Sequence, residues 1–129
     1  MANNLIVNSK ITINTAKLKQ LTQAQAKSLA QTADALLTDL RDEQYMPFDT
    51  GNLQNDSTVV DDSQKDKGRV SIVSTTPYAR RLYFHPEINF RTVNNAKAGA
   101  EWFEPYISGR KKNFARDAFA KLYKRNGGL

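Results

Sequence analysis

The sequence predicts an α+β domain: one antiparallel sheet of three to five strands, packed by a long N-terminal helix and a C-terminal helix. Three observations carry this. Apolar residues recur at helical spacing from Ala26 to Leu40. Two β-branched runs, Ser57 to Val60 and Arg69 to Ser74, flank a polar loop that closes at Lys67-Gly68. A second apolar stripe, Phe114 to Leu122, lies in a basic segment that stops at Asn126-Gly127-Gly128. At 129 residues the chain suits a single domain spanning 1–129, large enough to bury a core without staples.

The first element is extended. Leu5-Ile6-Val7 and Ile11-Thr12-Ile13 flank Asn8-Ser9-Lys10, which fits one bent edge strand or a small hairpin. Thr22-Gln23-Ala24-Gln25 then matches a capping box, with Leu21 and Ala26 placed as a hydrophobic staple. It predicts a helix from Thr22 to about Gln44, with Ala26, Leu29, Ala30, Ala33, Leu36, Leu37 and Leu40 inward. A chain reversal follows. Pro47 fixes its own φ, Asp49 and Thr50 can bond nearby backbone N–H groups, and Gly51 can take a positive φ. After the hairpin, Pro77 breaks the strand. Tyr78 to Phe84 has the density of a short helix, with Tyr78 and Leu82 on one face. Residues 85–100 read as a long loop with a short extended piece at Ile88-Asn89-Phe90, and Trp102-Phe103 anchors its end. Ser108 is placed to cap the final helix, which is expected to run to about Arg125 and to pack Phe114, Ala118 and Leu122 on the sheet.

Composition narrows the function. There are no cysteines, so disulfides and thiolate metal sites are excluded. No stretch approaches the roughly 20 apolar residues of a membrane span, and no secretory signal pattern opens the chain. The expectation is a soluble protein made in a cytoplasm. The net charge of +6 is uneven: residues 1–79 carry 8 Lys and Arg against 9 acids, residues 80–129 carry 11 against 4. That asymmetry points to an acidic partner or nucleic acid at the C-terminal half, or to a solvated face. Arg110 to Lys112 stand at the end of the expected helix where its dipole disfavours cations, so another cause must hold them there.

The catalytic readings fail on context. Asp49-Thr50-Gly51 matches the tripeptide of aspartic proteases, but Pro47 precedes it, polar Asn52 follows, and few glycines exist to build a flap. His85 is the only histidine, so a zinc site would need unusual carboxylate ligation. Asp61 to Asp66 lacks the glycine and terminal glutamate of a calcium loop. No phosphate loop or dinucleotide fingerprint is present. No catalytic residue, metal or cofactor is expected. A small basic nucleic-acid-binding module remains the alternative, although no zinc-finger, RNA-recognition or helix-turn-helix signature accompanies the basic helix.

The order of motifs carries a resemblance. A long helix leads to Met46-Pro47-Phe48-Asp49-Thr50-Gly51-Asn52-Leu53, then a hairpin, then Pro77-Tyr78-Ala79-Arg80-Arg81-Leu82-Tyr83, then Trp102-Phe103-Glu104-Pro105 and a basic close at Phe119-Ala120-Lys121-Leu122-Tyr123-Lys124. This resembles the minor capsid, or tail-completion, proteins that join head to tail in long-tailed bacteriophages. The resemblance implies a non-enzymatic virion protein that forms a ring, commonly of about six subunits, in the neck. Such a ring contacts a head-closure ring on one side and a tail-terminator or tail-tube ring on the other, with genomic DNA passing through its lumen unread. Assembly takes place in the bacterial host cytoplasm. Asp49, Thr50, Gly51 and Leu53, with Pro47, would then form a structural turn, and Gln54 departs from the basic residue expected in many relatives. Ring closure needs heterologous contacts. The acidic span Asp39 to Asp66 of one subunit is expected to meet the basic residues Arg110, Lys111, Lys112 and Arg116 of the next.

Overall fold

Asn14, rather than Thr22, starts the first helix in the computed structural model, which describes residues 12–48, 51–90 and 92–129. The side-chain oxygen of Asn14 accepts the Lys17 backbone N–H at 3.0 Å, and helix α1 runs Thr15–Asp42. Thr22 is already inside it, its hydroxyl donating to the Leu18 carbonyl at 2.9 Å. The early start has a tertiary cause. The last helix lies antiparallel along α1 and reaches its first turns, where Lys17 Nζ donates to the Gly127 carbonyl at 2.8 Å. At 28 residues α1 is roughly 42 Å long.

Beyond α1, Gln44 takes a left-handed φ of 60° and turns the chain. A wide helical turn, Asn52–Asp56, leads into β1 (Thr58–Asp61), and a single 3-10 turn, Lys65–Lys67, joins it to β2 (Ser71–Ser74). Gly68 closes that loop with a φ of 80°. The strands pair antiparallel, Thr58 opposite Ser74 and Val60 opposite Ile72. The expected hairpin is therefore present, and the sheet has two strands among the described residues rather than three to five. The strand expected over Leu5 to Ile11 lies outside the described residues. Thr12 and Ile13 are not strand, and Ile13 is 66% exposed.

The short helix α2 (Ala79–Phe84) turns Ala79, Leu82 and Tyr83 inward. Tyr78 precedes it and is exposed, its hydroxyl taking a hydrogen bond from Asn52 Nδ2 at 3.2 Å, so Tyr78 and Leu82 do not share the buried face. Ile88, Asn89 and Phe90 form no strand within the loop. The expected final helix starts later than Ser108, and a separate short turn of helix precedes that residue. Pro105 opens a single turn, α3 (Glu104–Ile107), and Ser108 follows it, donating to Glu104 Oε2 at 3.1 Å instead of capping a helix. Gly109 then crosses so close to Pro105 that a Cβ would stand 2.8 Å from its Cα. Arg110, Lys111 and Lys112 lie in the connecting turn, and α4 runs Phe114–Gly127. It packs along α1 rather than on the sheet, with Asn126 Nδ2 donating to the buried Ser28 hydroxyl and to Gln31.

The core sits where the C-terminal half of α1 meets everything else. Leu37 and Leu40 pack with Met46, Leu53, Ala79, Trp102 and Tyr106, and Val60, Ile72 and Phe114 close over them. Aromatic rings fill its outer edge: Tyr83 stands edge-on to Trp102 at 4.8 Å, and Tyr106 edge-on to Phe114 at 5.9 Å.

Candidate functional site

Two groups of residues singled out by the sequence can be placed: the reversal after Pro47 and the cations after Ser108. Gly51 is buried with a φ of 83°, as a reversal requires, and an added Cβ would stand 3.0 Å from both Asn55 Nδ2 and Phe48 Cζ. Leu53 is in the core beside Met46. Pro47 is partly buried at the start of the reversal, while Asp49 and Thr50 lie outside the described residues. The position that departs from the resemblance, Gln54, is buried. Its Oε1 accepts from Asn95 Nδ2 at 2.6 Å, and the same Nδ2 donates to the Met46 carbonyl at 2.8 Å. A basic side chain at 54 would have to bury its charge here. The buried Asn95 thus ties the long loop to the reversal, a role its loop composition did not reveal.

The cations divide. Lys111 Nζ reaches Asp39 Oδ2 at 2.6 Å and Glu43 Oε1 at 3.1 Å. Arg110 Nη2 lies 3.5 Å from Glu43 Oε2 and donates to the Tyr45 hydroxyl at 3.1 Å, while Lys97 Nζ, from the long loop, meets Glu43 Oε2 at 2.9 Å. Asp39 and Glu43 stand one turn apart at the C-terminal end of α1, where the helix dipole disfavours carboxylates. Arg110 and Lys111 therefore oppose the negative end of α1, which supplies the cause that α4 could not. Tyr106 completes the cluster, its hydroxyl donating to Asp39 Oδ2 at 2.7 Å.

The electrostatics follow from these contacts. Hydrogen bonds from Lys97 and then Lys111 hold the Glu43 carboxyl down at about 2. Burial, reinforced by the hydrogen bond to Asp39, pushes the Tyr106 hydroxyl well above the usual phenol range. Burial works against the Lys111 ammonium, but its bonds to Asp39 and Glu43 outweigh it and the pKa rises. This is an ion-pair clamp between α1, the long loop and the turn before α4.

Lys112 and Arg116 are placed differently. Lys112 is exposed and makes no ion pair within the described residues. Arg116 meets only its neighbour Asp117, at 3.5 Å, with both side chains largely in water. Lys121, Lys124 and Arg125 extend the exposed basic surface along α4. A separate exposed acidic group, Asp61, Asp62 and Asp66, sits around the hairpin loop, where Asp61 is turned inward on the Ser63 hydroxyl and N–H. His85, at the end of α2, pairs on the surface with Glu87 at 2.6 Å. Among the described residues no three His, Asp or Glu side chains are grouped to hold a metal ion, and no helix is long and apolar enough to cross a membrane. No protein-family model, curated protein or solved structure matches the chain.

Proposed function

We propose that this chain is a structural component of the neck of a long-tailed bacteriophage, a ring subunit that joins the DNA-filled head to the tail. The ring, of about six subunits, is closed by heterologous contacts between copies. It stacks between a head-closure ring and a tail-terminator or tail-tube ring, and it lines a conduit through which genomic DNA slides without sequence readout. The order of the motifs, from the long helix through Pro47 to Leu53, the hairpin and the basic close, supports this reading.

The observation that carries the contact is the division of the cations. Arg110 and Lys111 are consumed inside the subunit, so Lys112, Arg116, Lys121 and Lys124 are left to face a neighbour. The exposed carboxylates at the hairpin loop are the complementary patch. Such pairing sets register and orientation more than affinity. The sheet of three to five strands belongs to the same reading, as strands of the subunit added to the hairpin.

Negative-stain imaging of virions carrying a C-terminal label on this protein tests the reading: label is expected at the junction of head and tail. Label at the tail tip, over the capsid face, or on no particle overturns it. The variant Lys112→Glu/Arg116→Glu/Lys121→Glu should fold normally and leave heads and tails unjoined. Tight, sequence-selective DNA binding by the wild-type protein at physiological salt would instead identify a nucleic-acid-binding module.

A further inference from the structure

The two edges of the hairpin are unlike. In an antiparallel pair, residues alternate between those that bond across the ladder and those whose N–H and C=O point away. Thr75 N–H donates to the Ser57 carbonyl at 2.8 Å, so that pair bonds across. The register then makes Val59–Val73 and Asp61–Ser71 bonding pairs, and turns the backbone groups of Thr58, Val60, Ile72 and Ser74 outward. On β1 the Thr58 carbonyl is taken, by Arg41 of α1 at 3.2 Å, and the Asn52–Asp56 turn packs beside that strand. On β2 the outward groups of Ile72 and Ser74 have no partner among the described residues. Among the described residues strand β2 is thus an open edge.

Beside this edge lies an apolar groove of about 330 Å³. Ser74 stands at its rim, and Ala79, Tyr83, Phe84, Trp102 and Phe103 line it. Phe84 is 62% exposed there, and Trp102 Nε1 is buried without a hydrogen bond among the described residues. Glu101 and Glu104 lie near Tyr83 in the groove wall, and three arginines flank the edge itself. Arg69 enters β2, Arg80 lines the groove and Arg81 follows it; all three are exposed and make no ion pair within the described residues.

We propose that β2 is a docking edge for an extended, acidic segment of another protein, which adds as a strand to Ile72 and Ser74 and places one apolar side chain in the aromatic groove. A strand is the partner that satisfies a row of alternating donors and acceptors, and the groove supplies the pocket for an alternate side chain. The arginines choose among strands: two copies of β2 would bring Arg69, Arg80 and Arg81 of each together, so the occupant is acidic rather than a second copy. The ring reading is not required, because the argument stands on the edge and groove alone.

The probe is a blocked synthetic pentapeptide, Asp-Val-Leu-Thr-Glu, titrated into the full chain while the emission of Trp102, the sole tryptophan, is followed. Saturable binding with a shift in emission is expected. N-methylating one alternate set of peptide amides should weaken it at least tenfold, and methylating the other set should leave it within about twofold, since only one set faces β2. Arg80→Glu should weaken the acidic peptide and strengthen its lysine counterpart. Equal loss or equal retention with the two methylated sets would overturn strand addition, as would no binding at millimolar peptide. Reversible dimerisation of the wild type abolished by Arg80→Glu would assign the edge to a second copy and refute the acidic occupant. Correct labelling of the virion neck without peptide binding would sink this inference and leave the neck reading standing.

Discussion

Replacing Trp102 by alanine should cost about 3–5 kcal/mol, whereas phenylalanine should cost only about 1–2 kcal/mol. Trp102 is 2% exposed and stands between Tyr83 and Phe103. A buried indole removes about 150–250 Å² from water, worth about 4–6 kcal/mol at 25 cal/mol per Å². Alanine forfeits most of that and leaves a cavity beneath the rings. Phenylalanine keeps an edge-on partner for Tyr83 and also removes a buried N–H that makes no hydrogen bond among the described residues. Burying such a donor costs about 1–3 kcal/mol, which offsets part of the lost area. Against the 5–15 kcal/mol typical of a domain, the first substitution threatens the fold and the second does not. Urea unfolding followed by far-UV circular dichroism measures both, since the substitutions remove the only tryptophan. Costs for the two variants that agree within about 0.5 kcal/mol would refute the reasoning and give the indole N–H a partner.

Gly51→Val should destabilise the chain by about 1–3 kcal/mol, because the positive φ and the 3.0 Å approaches to Phe48 and Asn55 act together; a urea midpoint equal to wild type would remove the strain argument. For Glu43 the folded pKa, about 2, lies below the ordinary value of 4.5. Its contribution is therefore complete above about pH 4.5 and is lost as the pH falls toward 2. Glu43→Gln should flatten the acid limb of stability in that window at low salt, and an unchanged slope between wild type and variant would show that the clamp is not coupled to the carboxylate.

Local patterns in the sequence located the elements but not their joints. The hairpin was legible because β-branched runs and Lys67-Gly68 specify strand and turn within a few residues. The capping box at Thr22 satisfied its pattern equally well, yet the helix runs through it, because Asn14 caps upstream and α4 covers the extra turns. The late start of α4 had a readable signal in Gly109, a close-approach residue, which the uninterrupted basic pattern masked. The clamp had none. Lys111 and Asp39 are 72 residues apart, and a cation's place in a chain does not say which helix end it will face. The Gln54–Asn95 tie was hidden likewise, since two amides read as ordinary loop and turn polarity until they share a buried bond.

The antiparallel embrace of α1 by α4 bears on how the chain is made. Lys17 and Gly127 touch across 110 residues, so α1 waits for α4 to be synthesised before one flank of it is covered. At about 5–20 residues per second, the 85 residues between Asp42 and Gly127 take roughly 4–17 s to synthesise. Through that interval Ser28 and its neighbours on that flank lack the partners that α4 supplies. Helix α1 can form early from its own cap, but its docking waits for α4, and the nascent chain spends those seconds as a client for any chaperone that holds amphipathic helices.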